Sequence, residues 1–293
     1  GARVDGLYSE GAAALDEIAA EVDAFGPCSP DSEVVLRDDL LPAENEFVIL
    51  HDALLASHTA LTRRHGQRLL RIDPDGGRAW GVTARNVQQR MALDLLADPD
   101  VLLVTITGRA GTGKTLLALA AGLEQTQELH RYRRLLVSRP VIPLGGQEIG
   151  FLPGDAQEKM RPWMQPIYDN LEFLMGSGHH SKGWLDAGLG LTDLTVEPLT
   201  YIRGRSIPDQ FIVIDEAQNL TPHEVKTIVS RAGQGSKLVM VGDLEQIDHP
   251  YLDAGSNGLA YVVERFAGEA MAGHVHLLRG ERSVLAQRAV ELL

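Results

Sequence analysis

Residues 101–124 constrain the fold of this chain more than any other stretch. The run Val101–Thr107 is largely apolar, the next eight residues are Gly108-Arg109-Ala110-Gly111-Thr112-Gly113-Lys114-Thr115, and Leu116–Glu124 is rich in Ala and Leu. A strand, a glycine-rich loop and a helix, in that order, form the setting in which such a loop binds a polyphosphate. Several negative charges must be held at close range with no side chain in the way. Glycines let successive backbone N–H groups turn inward as an anion nest at a helix N-terminus. Lys114 is then expected to reach the β and γ phosphates, and Thr115 to offer its hydroxyl to Mg²⁺. Only five of the 27 basic residues are Lys, so a lysine here, in a chain that favours Arg, marks a need for a point charge.

The second half of a nucleotide site lies about a hundred residues on, where the apolar run Phe211–Ile214 ends in Asp215 and Glu216. A short, fully apolar run suits a central parallel strand whose C-terminal edge opens on a ligand. Asp215 is expected to position the metal and Glu216 to activate the attacking water. By itself such a pair is weak evidence, because carboxylates commonly cap the next helix. Together with a phosphate loop it forms one constellation. A further apolar run, Lys237–Gly242, closes on Gly242-Asp243-Leu244-Glu245-Gln246, and the Gln246 amide is expected to sense the γ-phosphate. Upstream, Asn86, Gln89 and Ala92 precede the phosphate-loop strand, and the Gln89 amide has the donor–acceptor pair that matches an adenine edge.

In this order the four elements resemble the motif set of superfamily 1 helicases. The segments Leu136–Pro143, Glu148–Asp155, Glu158–Met160, Pro162-Trp163 and Pro166–Asn170 are similar to the signature block of PhoH-like proteins, and the likeness runs from about Asn45 to the C-terminus. The resemblance implies an α/β fold: a RecA-like P-loop NTPase with a mainly parallel sheet, using ATP and Mg²⁺. It implies ATP hydrolysis coupled to RNA binding or unwinding, with single-stranded RNA as the partner, in the motor part of an RNA helicase or ribonuclease whose N-terminal PIN nuclease domain is missing from this chain. The alternative is an ATP-driven regulatory or assembly module that never moves along nucleic acid. Superfamily 1 helicases pair two RecA-like domains, and the stretch after Gln246 is short for a second one. The catalytic arginine is therefore expected from a neighbouring subunit in a homo-oligomeric ring, with a hexamer favoured. Leu278-Arg279-Gly280-Glu281-Arg282-Ser283 resembles the family's C-terminal arginine motif, which makes Arg282 the first candidate and Arg279 the second.

Five prolines and several glycines between Arg139 and Asn170 argue against a continuous helix or a central strand there and predict an ordered excursion from the sheet. Arg139, Lys159 and Arg161 interleave with Phe151, Trp163 and Tyr168, a mixture that suits single-stranded nucleic acid. For Phe151 and Trp163, packing onto the core is the preferred reading.

Three parts are expected. Residues 1–33 form a helical connector around Glu10–Asp23, residues 34–82 a small β-rich unit, and residues 83–293 the ATPase domain. In the small unit, the short apolar runs Phe47–Leu50 and Leu69–Ile72 precede the turn Asp73–Gly77, and Arg63, Arg64, Arg68 and Arg71 could either touch phosphates or form a solvated face. In the ATPase part, strands are expected at 101–107, 135–138, 194–199, 211–215, 238–242 and 274–278, alternating with helices. The lone Cys28 excludes an internal disulfide and a cysteine zinc cluster. No apolar run has membrane-spanning length and no leader pattern opens the chain, so a cytoplasmic protein without a membrane partner is expected. The formal net charge of −13 disfavours a broad nucleic-acid face and calls for a local basic lining instead.

Overall fold

The structure is a computed structural model that describes residues 33–35, 42–51, 59–73, 76–142, 156–177, 193–202 and 206–280. A small antiparallel sheet comes first: β1 (Glu33–Val35), β2 (Phe47–His51), β3 (Thr59–His65) and β4 (Arg68–Arg71), in the order β1-β4-β3-β2. The two-residue strands β5 (Arg78–Ala79) and β6 (Val82–Thr83) lead into helix α1 (Val87–Ala97). An alternating series comes next: β7 (Leu103–Gly108), α2 (Lys114–Leu123), β8 (Arg134–Arg139), α3 (Ala156–Ser177), β9 (Leu194–Pro198), β10 (Gln210–Ile214), α4 (Pro222–Val229), β11 (Lys237–Gly242), α5 (Gly258–Arg265) and β12 (Ala272–Leu277). These last six strands form one sheet, β12-β7-β11-β10-β8-β9, and every neighbouring pair is parallel.

This is the RecA-like arrangement, and all six strands expected from apolar runs form, with ends shifted by two residues at most. Strands β7 and β11 are buried along their whole length, which is why they read as unbroken apolar runs instead of alternating ones. Helices α1, α2 and α3 cover one face, packing Leu95, Leu117 and Ile167 against Val104, Val213 and Val239. Helices α4 and α5 cover the other, packing Val225, Ile228 and Leu259 against Ile212, Ile214 and Met240. Register sets Gly242 beside Thr107 and Ile214 beside Met240. The loops that leave β7, β10 and β11 therefore open side by side on the C-terminal edge, where ligands bind in sheets of this kind.

The excursion expected after Arg139 is corrected in part. Ala156–Ser177 is a 22-residue helix with Pro162 and Pro166 inside it. An interior proline costs about 3 kcal/mol. Met164, Ile167, Leu171, Leu174 and Met175 are all buried, and each contributes about 1.5–3 kcal/mol, so the packed face outweighs both prolines. The prolines lie four residues apart on the exposed side, where water can satisfy the carbonyls they free.

A second correction concerns Arg63, which is 6% exposed and belongs to neither a phosphate contact nor a solvated face. Its guanidinium lies 2.8 Å from Asp94 and 2.5 Å from Asp98, and donates to Asn45 Oδ1 at 2.8 Å. Asn45 in turn donates to Ala270 O and Ala272 O beside β12, so this cluster fastens the small sheet to the large one. The C-terminal end of α1 gathers two carboxylates and the negative end of the helix dipole, and buried cations are drawn to it. Lys237 is the other such cation, donating to Leu95 O at 2.8 Å and Asp98 O at 2.5 Å.

Burial pushes the Lys237 amine down to about 7 from an ordinary value of 10.5. Between those two values the unfolded chain binds more protons than the folded one, so this group makes stability rise with pH across that window. In urea unfolding between pH 7 and 9.5, the parent is expected to gain stability relative to Lys237→Met as pH rises. A stability relative to Lys237→Met that stays constant or falls as pH rises would place an ordinary ammonium at this position.

Candidate nucleotide site

The phosphate loop turns on backbone conformations that a side chain would disturb. Gly108 has φ +150°, and a Cβ there would lie 2.5 Å from Leu277 O; Gly113, with φ +89°, forms the left-handed entry to α2. Lys114 is 9% exposed, with its ammonium folded over the loop and donating to Gly108 O at 2.6 Å and Arg109 O at 3.0 Å. Two neutral carbonyls hold the charge where a polyphosphate would offer stronger acceptors.

Braces from three directions hold this loop. Thr112 Oγ1 donates to Arg109 O at 2.8 Å, and Asp243 Oδ2 accepts from Ala110 N at 2.9 Å. The exposed Arg109 pairs with Glu245 at 2.8 and 3.1 Å. The third brace is Gln89. Gln89 is buried, its Nε2 donates to Thr112 O at 3.0 Å, and its Oε1 accepts from Arg85 N at 2.8 Å. Each end of the amide has a partner, so it supports the loop from behind. The cause is local: Asn86 caps α1 by accepting from Gln89 N at 2.9 Å, and the first turn then faces Gln89 inward.

At the neighbouring strand ends, Asp215 Oδ1 accepts from Thr115 Oγ1 at 2.8 Å. Asp215 is 4% exposed. Burial, followed by the adjacent Glu216, pushes its carboxyl above the ordinary range, and Arg139 and Thr115 offset only part of the rise. Arg139, at the end of β8, stands 3.8 Å from Asp215 Oδ2 and 3.4 Å from Glu216 Oε1. Glu216 has φ +53°, in the left-handed region, an uncommon backbone for a residue with a long side chain and one that gathers at functional sites. Its carboxylate also accepts from Gln218 Nε2 at 2.5 Å. The hydroxyl of Thr115 and the carboxylate of Asp215 form a hard oxygen pair that fits Mg²⁺, and a buried carboxyl that resists ionisation gains most from a cation beside it.

Residues Gly108–Thr115, Asp215 and Glu216 are thus brought together as the motifs required. Gln246 lies on the exposed turn after β11, and its backbone oxygen accepts from Gln218. Arg279 is exposed just beyond β12, and Arg282 lies outside the described residues, as do Cys28, Phe151 and the side chains of Lys159 and Arg161. Trp163 packs against the core and donates to Ile142 O at 3.3 Å, in keeping with the packing role preferred for it. Arg139 moves from the expected nucleic-acid lining into the carboxylate cluster. It and Gln218 are the site residues that the motifs did not reveal. Gln218 closely succeeds the carboxylate pair but carried no expected role, and the Ser-Arg end of β8 points to the site only once β8 is known to lie beside β10.

A family model described as PhoH-like protein matches residues 81–293. Protein PhoH2 of Bacillus subtilis is 58% identical over 252 residues, 85% of this chain and 56% of its own length. Protein PhoH2 of Mycolicibacterium smegmatis is 40% identical over 266 residues, 87% of this chain and 59% of its own. The chain therefore spans little more than half the length of these curated relatives. Among solved structures, the Pif1 helicase of Candida albicans is similar over 72% of this chain and 43% of its own, with 14% identity and a TM-score of 0.36. Among the described residues no helix is long and apolar enough to cross a membrane.

Proposed function

Because the chain belongs to the PhoH-like family of P-loop NTPases, we propose that it hydrolyses ATP and couples the hydrolysis to work on single-stranded RNA. One observation carries the first half: the 2.8 Å contact between Thr115 Oγ1 and Asp215 Oδ1 joins the phosphate loop to the carboxylate pair. In this reading the N–H groups at the start of α2 receive the β and γ phosphates, and Lys114 exchanges its two carbonyls for phosphate oxygens. Thr115 and Asp215 would hold Mg²⁺, which supplies charge neutralisation on the phosphates when bound. Glu216 takes the proton of the water whose oxygen attacks the γ-phosphorus as the bond to the bridging oxygen breaks. Arg139 balances the two carboxylates and keeps Glu216 within reach of that water. The Gln246 amide, on a turn tied to Glu216 through Gln218, would report on the γ-phosphate.

RNA as the track rests on the likeness to superfamily 1 motifs and on the family resemblance. With Arg139 and Trp163 turned to other tasks, the path for RNA must use a local lining elsewhere. A ring, with a hexamer favoured, in which a neighbour's Arg282 adds a second cation at the phosphates, belongs to the same proposal. So does a PIN nuclease domain in the part of the longer relatives that this chain does not span. A cytoplasmic location goes with such a substrate.

The test is ATP turnover with single-stranded RNA, with single-stranded DNA and with neither, alongside binding measured at several salt concentrations. RNA is expected to stimulate turnover and to bind better than DNA of the same sequence, through contacts to the 2′-hydroxyl. Binding should fall steeply with salt, with log Kd changing linearly with log salt. Equal affinities, or no binding at low salt, would remove RNA from the account; turnover indifferent to RNA would favour the regulatory or assembly module.

A further inference from the structure

We propose that Gln218 is a positioning residue, which aims the Glu216 carboxylate and ties it to the phosphate loop through the turn after β11. Gln218 is fully buried, and each end of its amide has a named partner. Nε2 donates to Glu216 Oε2 at 2.5 Å and to Gln246 O at 2.8 Å, while Oε1 accepts from Asp243 N at 3.1 Å. From Asp243 the chain of contacts continues, because its Oδ2 accepts from Ala110 N within the phosphate loop. Hydrogen bonds from Ala110 to Asp243, from Asp243 to Gln218 and from Gln218 to Glu216 therefore link the loop that would grip the phosphates to the carboxylate that would activate water.

A glutamate side chain has three rotatable torsions, and neither the strand nor the left-handed backbone at Glu216 fixes them. On the other side Arg139 approaches Oε1 at 3.4 Å, longer than a good charge-assisted hydrogen bond. The short contact from Gln218 is thus the one that holds a particular orientation. Room for the amide is provided by Gly242, where a Cβ would come within 2.3 Å of Gln218 Oε1. A glycine at the end of β11 is explained by this seat, since its φ is not among the positive values that call for one.

The inference rests on the proposed role of Glu216, and the experiment separates the two. ATP hydrolysis is measured by steady-state and single-turnover kinetics in Gln218→Leu, Gln218→Glu and Glu216→Gln, and in the double variant Gln218→Leu with Glu216→Gln. Gln218→Glu keeps the volume but replaces both N–H donors with acceptors, and it carries the test if the leucine variant fails to fold. General-base catalysis contributes on the order of 10²–10⁴-fold, and a misaimed base is expected to forfeit roughly 10- to 100-fold of that in kcat. KM for ATP and nucleotide affinity should stay close to the parent's. In the Glu216→Gln background, Gln218→Leu should cost nothing further, because no base remains to be aimed.

Parent-like kcat in both Gln218 variants, with Glu216→Gln inactive, overturns the positioning role and leaves the assignment of Glu216 standing. Losses that multiply in the double variant, or a KM that rises as kcat falls, overturn it in favour of a purely structural amide. Near-parent turnover in Glu216→Gln removes the base itself, and the inference falls with it.

Discussion

Lys114→Ala is expected to bring ATP hydrolysis down to background, a loss on the order of 10³-fold or more, since it deletes the charge nearest the transferring phosphate. Nucleotide affinity should fall as well, because the same ammonium would face the β and γ phosphates before and during transfer. The loop itself should survive the change. Its braces are Gln89 on Thr112, Asp243 on Ala110 and Thr112 on Arg109, and none of them passes through Lys114. What the folded chain loses is a donor to Gly108 O and Arg109 O, so Tm should move little. Phosphate release, binding of a fluorescent ATP analogue and thermal unfolding together read all three effects. Turnover above a tenth of the parent's would mean that this lysine does not serve the transferring phosphate.

Glu216→Gln should behave differently, retaining ATP while turnover falls by about 10²–10⁴-fold, because the amide keeps the shape of the side chain and cannot take a proton. The geometry favours a clean result. Glu216 is one residue beyond the Thr115–Asp215 pair, and the proposed grip on phosphate and metal does not run through its carboxylate. Arg139 would lose one of its two anionic neighbours and keep the other, Asp215. Nucleotide that stays bound after mixing with excess unlabelled ATP, together with a slow single turnover, is the expected signature. If hydrolysis continues near the parent rate, water is activated elsewhere.

Much of the frame of this site is legible without coordinates because it is encoded locally. The spacing of Gly108, Gly111 and Gly113 before Lys114-Thr115 makes sense only for a loop that turns its N–H groups inward. The apolar runs ahead of Asp215 and Asp243 are short and unbroken because their strands are buried on both faces. Each of these signals lies within a dozen residues of chain, where composition and order suffice.

Helix α3 is less legible because the signal there is divided. Pro162 and Pro166 speak against a helix at the level of backbone geometry, while Met164, Ile167, Leu171 and Leu174 recur at helical spacing, and only the presence of a sheet to pack on decides between them. Arg63 likewise reads as one member of a basic cluster until the C-terminal end of α1, with Asp94 and Asp98, is brought against it.

Patterns carried by neighbouring residues were enough for the class of the molecule, the six parallel strands, the phosphate loop and the carboxylate pair. Which side chains from distant segments meet there is a matter for the assembled fold. Strand order puts β8 beside β10 and so brings Arg139 to the carboxylates. The inward first turn of α1 takes Gln89 to the loop, and the turn after β11 closes over Gln218. A side chain's partner across a sheet depends on strand order, which follows from how distant segments pack together and is not written in the pattern of any one strand.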